Sequence, residues 1–300
     1  MSGLLELVMQ PWSEAFMMRA FLVGGAAAVA CAVVGTFVVL RGMAFIGDAI
    51  AHAVFPGVAI GYVLQVSLAL GGAVAGILTA LAVFSVTRSR RITEDSAIGV
   101  FFAFAFALGI VVVSTQQSYT GDLASFLFGQ ILGVSNSDVA LVSGAGAGLV
   151  GLTLVLRQRL VTVTLDRETA AALGLRVARW DLLVYLLVTA AIVISLQAVG
   201  NILVLALLVT PAAAARMVTD RLATMMALAA AIGASSATVG LYLSYYYDLA
   251  SGGLIVLVLT AAFLACWALR GLRAARHRGP AGQPLTETTQ TSPIHSLERS

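Results

Sequence analysis

The sequence predicts an all-α polytopic membrane protein with about eight or nine transmembrane helices, a short re-entrant helix and a short helix in a cytoplasmic loop. Hydrophobic residues make up 60% of the 300 and charged ones 10%, and mean hydropathy is +1.00, so lipid has to be part of the solvent. Uncharged apolar runs of about 20 residues, the length that crosses a hydrocarbon core of about 30 Å, recur along the whole chain. The arginines gather on alternate connections, as they do when basic residues are retained on one side of a bilayer.

Nine runs qualify as spans: 16–40, 44–65, 67–87, 96–115, 136–156, 179–198, 200–216, 222–243 and 253–269. The seventh is short and contains Pro211, and merging or demoting one element would leave eight. Residues 121–133, GDLASFLFGQILG, are apolar but too short to cross, and read as a re-entrant or interfacial segment begun by Asp122. Arg41, Arg88, Arg90, Arg91, Arg157, Arg159, the run Arg167 to Arg179, Arg216, Arg221 and Arg270 to Arg278 fall on one surface, with only Arg19 on the other. That places the C-terminus in the cytoplasm and the N-terminus outside, in a multi-pass protein of the plasma membrane. The outer surface carries Glu6, Glu14, Asp122, Asp138 and Asp248, which suits a face that receives cations. The expected organisation is an external segment (1–15), a transmembrane domain (16–270) and a basic, then disordered, cytoplasmic tail (271–300). The first residues, MSGLLELVMQPWSEAF, carry acids where a secretory leader carries bases, so no processing is expected.

Composition also excludes chemistry. The chain has seventeen arginines, fourteen acids and no lysine. A phosphate-binding loop needs its Lys to reach the terminal phosphates and a Schiff-base enzyme needs an amine, so any ATP hydrolysis belongs to a partner and no catalytic residue is expected. Nothing points to nucleic acid. Cys31 and Cys266 each lie in an apolar run and read as packing rather than as a disulfide. His295 reads as solvated, and His277, within RAARHRG, as lying near anionic lipid headgroups.

The second span begins GDAIAHAVFPG, which sets Asp48 and His52 four residues apart on one helical face. A carboxylate with an imidazole suits a borderline divalent ion such as manganese, iron or zinc, whereas magnesium and calcium favour all-oxygen shells. An ionisable pair near the bilayer midplane is costly, and so a candidate site. The bland alternative is that the two side chains bond each other or a neighbouring helix. Two ligands do not close a site, and no CxxC, HExxH or second His-bearing helix supplies more, so water, carbonyls or a second subunit would have to. Such an open site suits transport, in which an ion must leave as readily as it enters. Pro56 and Gly57, one turn on, could free carbonyls to line a cavity, act as a hinge, or make a structural kink. Asn201, after Gly200, could face a pathway or cap a helix.

The longest internal polar connection, 157–179 (RQRLVTVTLDRETAAALGLRVAR), reads as a loop holding a short helix. Asp166 supplies the N-cap, Glu168 suits the positive helix end, Ala170 and Ala171 propagate the turn and Gly174 ends it. A docking element and an ordinary amphipathic loop helix both fit this pattern.

At these segments the sequence resembles the manganese/zinc/iron permease family of ATP-binding-cassette metal importers. RGMAFIGDAIAHAVFPGVAIGY (41–62), EDSAIGVFFAFAFALGIVVVS (94–114), DLASFLFGQILGVSNSD (122–138), DRETAAALGL (166–175) and VGNILVLALLVTPAAAA (199–215) carry the likeness in order. The resemblance implies a homodimeric or pseudo-dimeric permease, fed by an external substrate-binding lipoprotein and driven by cytoplasmic ATPase subunits. It implies no permanently bound cofactor, only a transported manganese, zinc or iron ion. It also implies that Asp48 and His52 contact that ion, and that Glu168, Ala170, Ala171 and Gly174 belong to a coupling helix seated on the ATPase. Thr169 departs from the family's loose Glu-Ala-Ala pattern there. The HAVFPG ending is closer to the manganese and iron members than to the zinc members. A secondary transporter driven by protons would use the same pair but needs no docking helix. An intramembrane hydrolase with Ser235 as nucleophile and His52 as base is a third reading, with no oxyanion device to support it.

Overall fold

The computed structural model describes residues 10–88, 91–114 and 129–277, without the side chains of 62, 63, 113 and 273–277. Every long regular element among them is a helix: α1 (Ala15–Arg41), α2 (Ile46–Val63), α3 (Leu68–Thr87), α4 (Glu94–Ser114), α5 (Asn136–Leu165), the short α6 (Arg167–Ala172), α7 (Val177–Val199), α8 (Asn201–Val218), α9 (Leu222–Tyr247) and α10 (Ser251–His277). Eight of these are long and apolar enough to cross a membrane. The short apolar helix is α2, over Ile46–Gly61, and not the seventh predicted span, because Pro211 is accommodated inside α8. Most of the expected re-entrant segment, with Asp122, lies outside the described residues, which retain only a 3₁₀ turn at Ile131–Gly133. The tail beyond 277 also lies outside them.

Burial sorts the helices into layers. In α1 and α7, 72% and 61% of the apolar stretch is buried, against 11% in α10, so the first two form the middle and α10 faces outward. Because lipid is as apolar as Leu, contact between helices depends on close approach of small residues. Helix α1 packs on α5, α7, α8 and α9, while α2 packs on α3 and α4. Cys31 is fully buried between α1 and α7 with its Sγ 3.5 Å from Ser195 Oγ, and both cysteines are free thiols, as packing requires.

Gly35 marks the tightest crossing, since a Cβ there would run into the Leu208 carbonyl oxygen of α8. Backbone cannot rotate aside, so Gly35→Ala must part α1 from α8. Overpacking of this kind costs about 1–3 kcal/mol. The expected result is a melting temperature lowered by several degrees in detergent, read by a thermal-shift assay of the purified protein.

The loop 157–179 needs correction. Helix α5 runs on through Arg157 and Arg159 to Leu165, and with α6 and the start of α7 most of the supposed connection is helix. Thirty residues make it about 45 Å long, more than the hydrocarbon core requires. The arginines that seemed to end the span do not break it, because long basic side chains reach the interface from within a helix.

Candidate metal-contact site and docking face

Chain reversal at Gly42, which caps α1 in the left-handed region, directs the chain back into the bundle as α2. One face of α2, including Ala49, Ile50, Ala53 and Val54, is buried against its neighbours. Asp48 and His52 lie on the less covered side, with 39% and 20% of their side chains exposed. Asp48 Oδ1 stands 3.6 Å from His52 Nε2, too long for a hydrogen bond. The imidazole is met edge-on by two rings of α4, Phe102 at 4.8 Å and Phe106 at 5.5 Å, which are parallel to each other. No cluster of three or more His, Cys, Asp or Glu exists among the described residues, so this chain offers two donors at the pair.

The other predicted positions separate by role. Gly57 lies in the α2–α3 crossing, where an added Cβ would meet Ala75 and the Gly71 carbonyl, and this contact explains the glycine. Pro56 sits within α2 without ending it. Asn201 is the first helical residue of α8, makes no side-chain cap, and is 2% exposed with its Oδ1 unpartnered among the described residues. Ser235 donates to its own helix at Ile232, and α9 packs on α1, α8 and α10, so nothing joins Ser235 to His52.

Helix α6 is built as its sequence indicates. Asp166 caps it by accepting from the Thr169 backbone N–H at 2.9 Å and from the Thr169 hydroxyl. Those bonds hold the Asp166 carboxyl below the usual carboxylate range. The far end closes with Gly174 in the left-handed region at φ +77°, Gly174 N–H donating to Ala171 and Leu175 N–H to Ala170. That pairing is a Schellman motif, which only a residue tolerant of positive φ completes cheaply. Ala170 is fully buried, whereas Glu168 and Ala171 are exposed.

Beneath α6 lies a charge cluster that sequence reasoning missed. Arg41, at the end of α1, donates to Asp181 Oδ1 at 2.6 Å and to Thr164 Oγ1 at 3.3 Å. The second carboxylate oxygen of Asp181 accepts from Arg167 of α6 at 3.2 Å, and Arg167 also lies 3.8 Å from Glu94 at the start of α4. Arg41 and Asp181 are 5% and 12% exposed, so the pair is buried. The signal was Asp181 itself, an acid inside the predicted span 179–198. A cavity of about 450 Å³ opens beside the cluster, lined by Arg88, Glu94, Arg167, Glu168 and Ala171 among others.

Comparison with known proteins places this architecture. The chain is 41% identical over 263 residues to the manganese transport system membrane protein MntC of Halalkalibacterium halodurans, covering 88% of this chain and 90% of that one. It is 37% identical over 278 residues to the chelated iron transport system membrane protein YfeC of Yersinia pestis, covering 92% and 94%. Among solved structures, PsaBC from Streptococcus pneumoniae in complex with Fab superposes with a TM-score of 0.79 at 33% identity, over 88% of this chain and 95% of that one. With the description of the ABC 3 transport family matched from residue 13 to residue 270, and relatives this similar along nearly their whole length, the chain belongs to that family.

Proposed function

We propose that this chain is the membrane permease of an ATP-driven importer for a divalent transition-metal ion, manganese or iron ahead of zinc. The observation that carries the proposal is the Asp48/His52 pair, a carboxylate and an imidazole one turn apart on a helix in the bundle, left partly uncovered. That donor set suits the metals named for MntC and YfeC. Two donors form a weak, open station, and a second copy or a paralogous permease facing α2 would bring two more. An external binding lipoprotein delivers the ion, and a separate cytoplasmic subunit hydrolyses ATP, since a membrane chain of this family is not itself the ATPase. In this reading the arginine-rich surface is cytoplasmic, the C-terminus lies there, and α6 with Glu168, Ala171 and Gly174 is the coupling helix.

Reconstitution tests it. The permease and its ATPase in proteoliposomes, with metal-loaded binding protein outside, should accumulate manganese only when ATP is supplied to the ATPase. Accumulation that ignores ATP and collapses when a proton gradient is dissipated would establish the secondary-transporter alternative instead.

Asp166 supplies a smaller test of the docking helix. Its lowered pKa means the charged cap is present at neutral pH and is lost as pH falls through that lowered value. Asp166→Asn keeps an acceptor at the cap and should retain permease-stimulated ATPase activity. Asp166→Ala removes the acceptor and should lower that stimulation severalfold.

A further inference from the structure

A second cavity of about 400 Å³, between the end of α5 and the start of α7, is lined by Arg159, Arg176, Arg179, Trp180, Leu175 and Leu183 and reaches Gly174. None of the three guanidinium groups has an ion-pair or hydrogen-bond partner among the described residues, and Asp181, next to Trp180 in the chain, spends both oxygens on Arg41 and Arg167. The guanidinium of Arg159 lies 5.7 Å from the centre of the Trp180 ring, an arrangement that fixes the cation over the indole. The apolar side chains are arranged to match. Helix α5 runs towards the arginine-rich surface and α7 away from it, so Val155 and Leu183, each one turn from an arginine, both lie on the bilayer side. Val155 is 81% exposed and Leu152, on the same face, 46%.

We propose that this pocket binds an anionic phospholipid, with Arg159, Arg176 and Arg179 holding the phosphodiester headgroup and Leu152, Val155 and Leu183 bedding the first part of its chains. Guanidinium forks match phosphate oxygens, and basic pockets between spans at a membrane surface select charged headgroups. The apolar track into the bilayer favours a lipid over an acidic patch of the ATPase, which would offer no chains to fill it.

The test uses the full chain in vesicles with Trp12 and Trp267 changed to Phe, leaving Trp180 as reporter. Brominated phosphatidylglycerol should quench it at about tenfold lower mole fraction than brominated phosphatidylcholine. The preference should fall stepwise in R159Q and R179Q and vanish in R159Q/R176Q/R179Q, while saturating inorganic phosphate leaves it intact. Equal quenching by the two lipids in the parent protein overturns the proposal, as does an unchanged preference in the triple variant. Displacement by phosphate would mean a bare anion site. Equal quenching, with loss of ATPase binding in the triple variant, would assign the arginines to the ATPase.

Discussion

Asp48→Ala and His52→Ala should each reduce ATP-dependent metal accumulation by about 100-fold or more, with the complex still assembled and hydrolysing ATP. Removing even the groups that orient metal ligands costs about 10–100-fold in affinity or activity, and in the proposed role each variant removes a donor itself. The structure gives reason to expect intact folding. Both side chains are partly exposed, and neither makes a hydrogen bond that the bundle depends on. The measurement is uptake of a manganese radioisotope by proteoliposomes, with phosphate release assayed in parallel. Normal uptake in either variant would remove that residue from the path, whereas loss of both activities would mark a structural defect.

The second large effect concerns the buried pair. Asp181→Ala leaves Arg41, 5% exposed, without its carboxylate and leaves Arg167 without its shorter contact. Breaking a buried ion pair from one side costs about 3–5 kcal/mol, because the remaining charge stays desolvated. The expected outcome is a large fall in folded yield and melting temperature in detergent. Replacing both partners, as in Arg41→Met with Asp181→Leu, should recover much of the loss, since apolar residues of similar volume need no partner. A double variant as unstable as the single one would show that Thr164 and Arg167 matter more than the charge of Asp181. Arg167 alone is 57% exposed, so its pairing with Glu94 should contribute little to stability.

How much was legible beforehand follows from the range of each interaction. Hydropathy and arginine placement locate the spans because both are local, and the spacing of Asp48 and His52 is a property of one helix. The cap at Asp166 and the turn at Gly174 were equally readable, being made within α6. The partners of the pair were not, since Phe102 and Phe106 reach His52 only through packing of α4 on α2. The bond between Arg41 and Asp181 joins residues 140 apart, and no periodicity announces it. Gly57 looked like an interruption of α2 because its partner, Gly71, belongs to another helix. Arg157 looked like a boundary because charge signals the edge of the hydrocarbon, while the helix itself ends two turns later at Leu165.

The rings around His52 bear on more than its position. Edge-on contact with Phe102 and Phe106 restricts the rotamers open to the imidazole. A side chain so confined surrenders little torsional entropy on capturing an ion and recovers little on releasing it. In the role proposed for His52, exchange would then be governed mainly by stripping and restoring the hydration shell of the ion, which would make capture and release nearly mirror images and favour rapid turnover over tight retention.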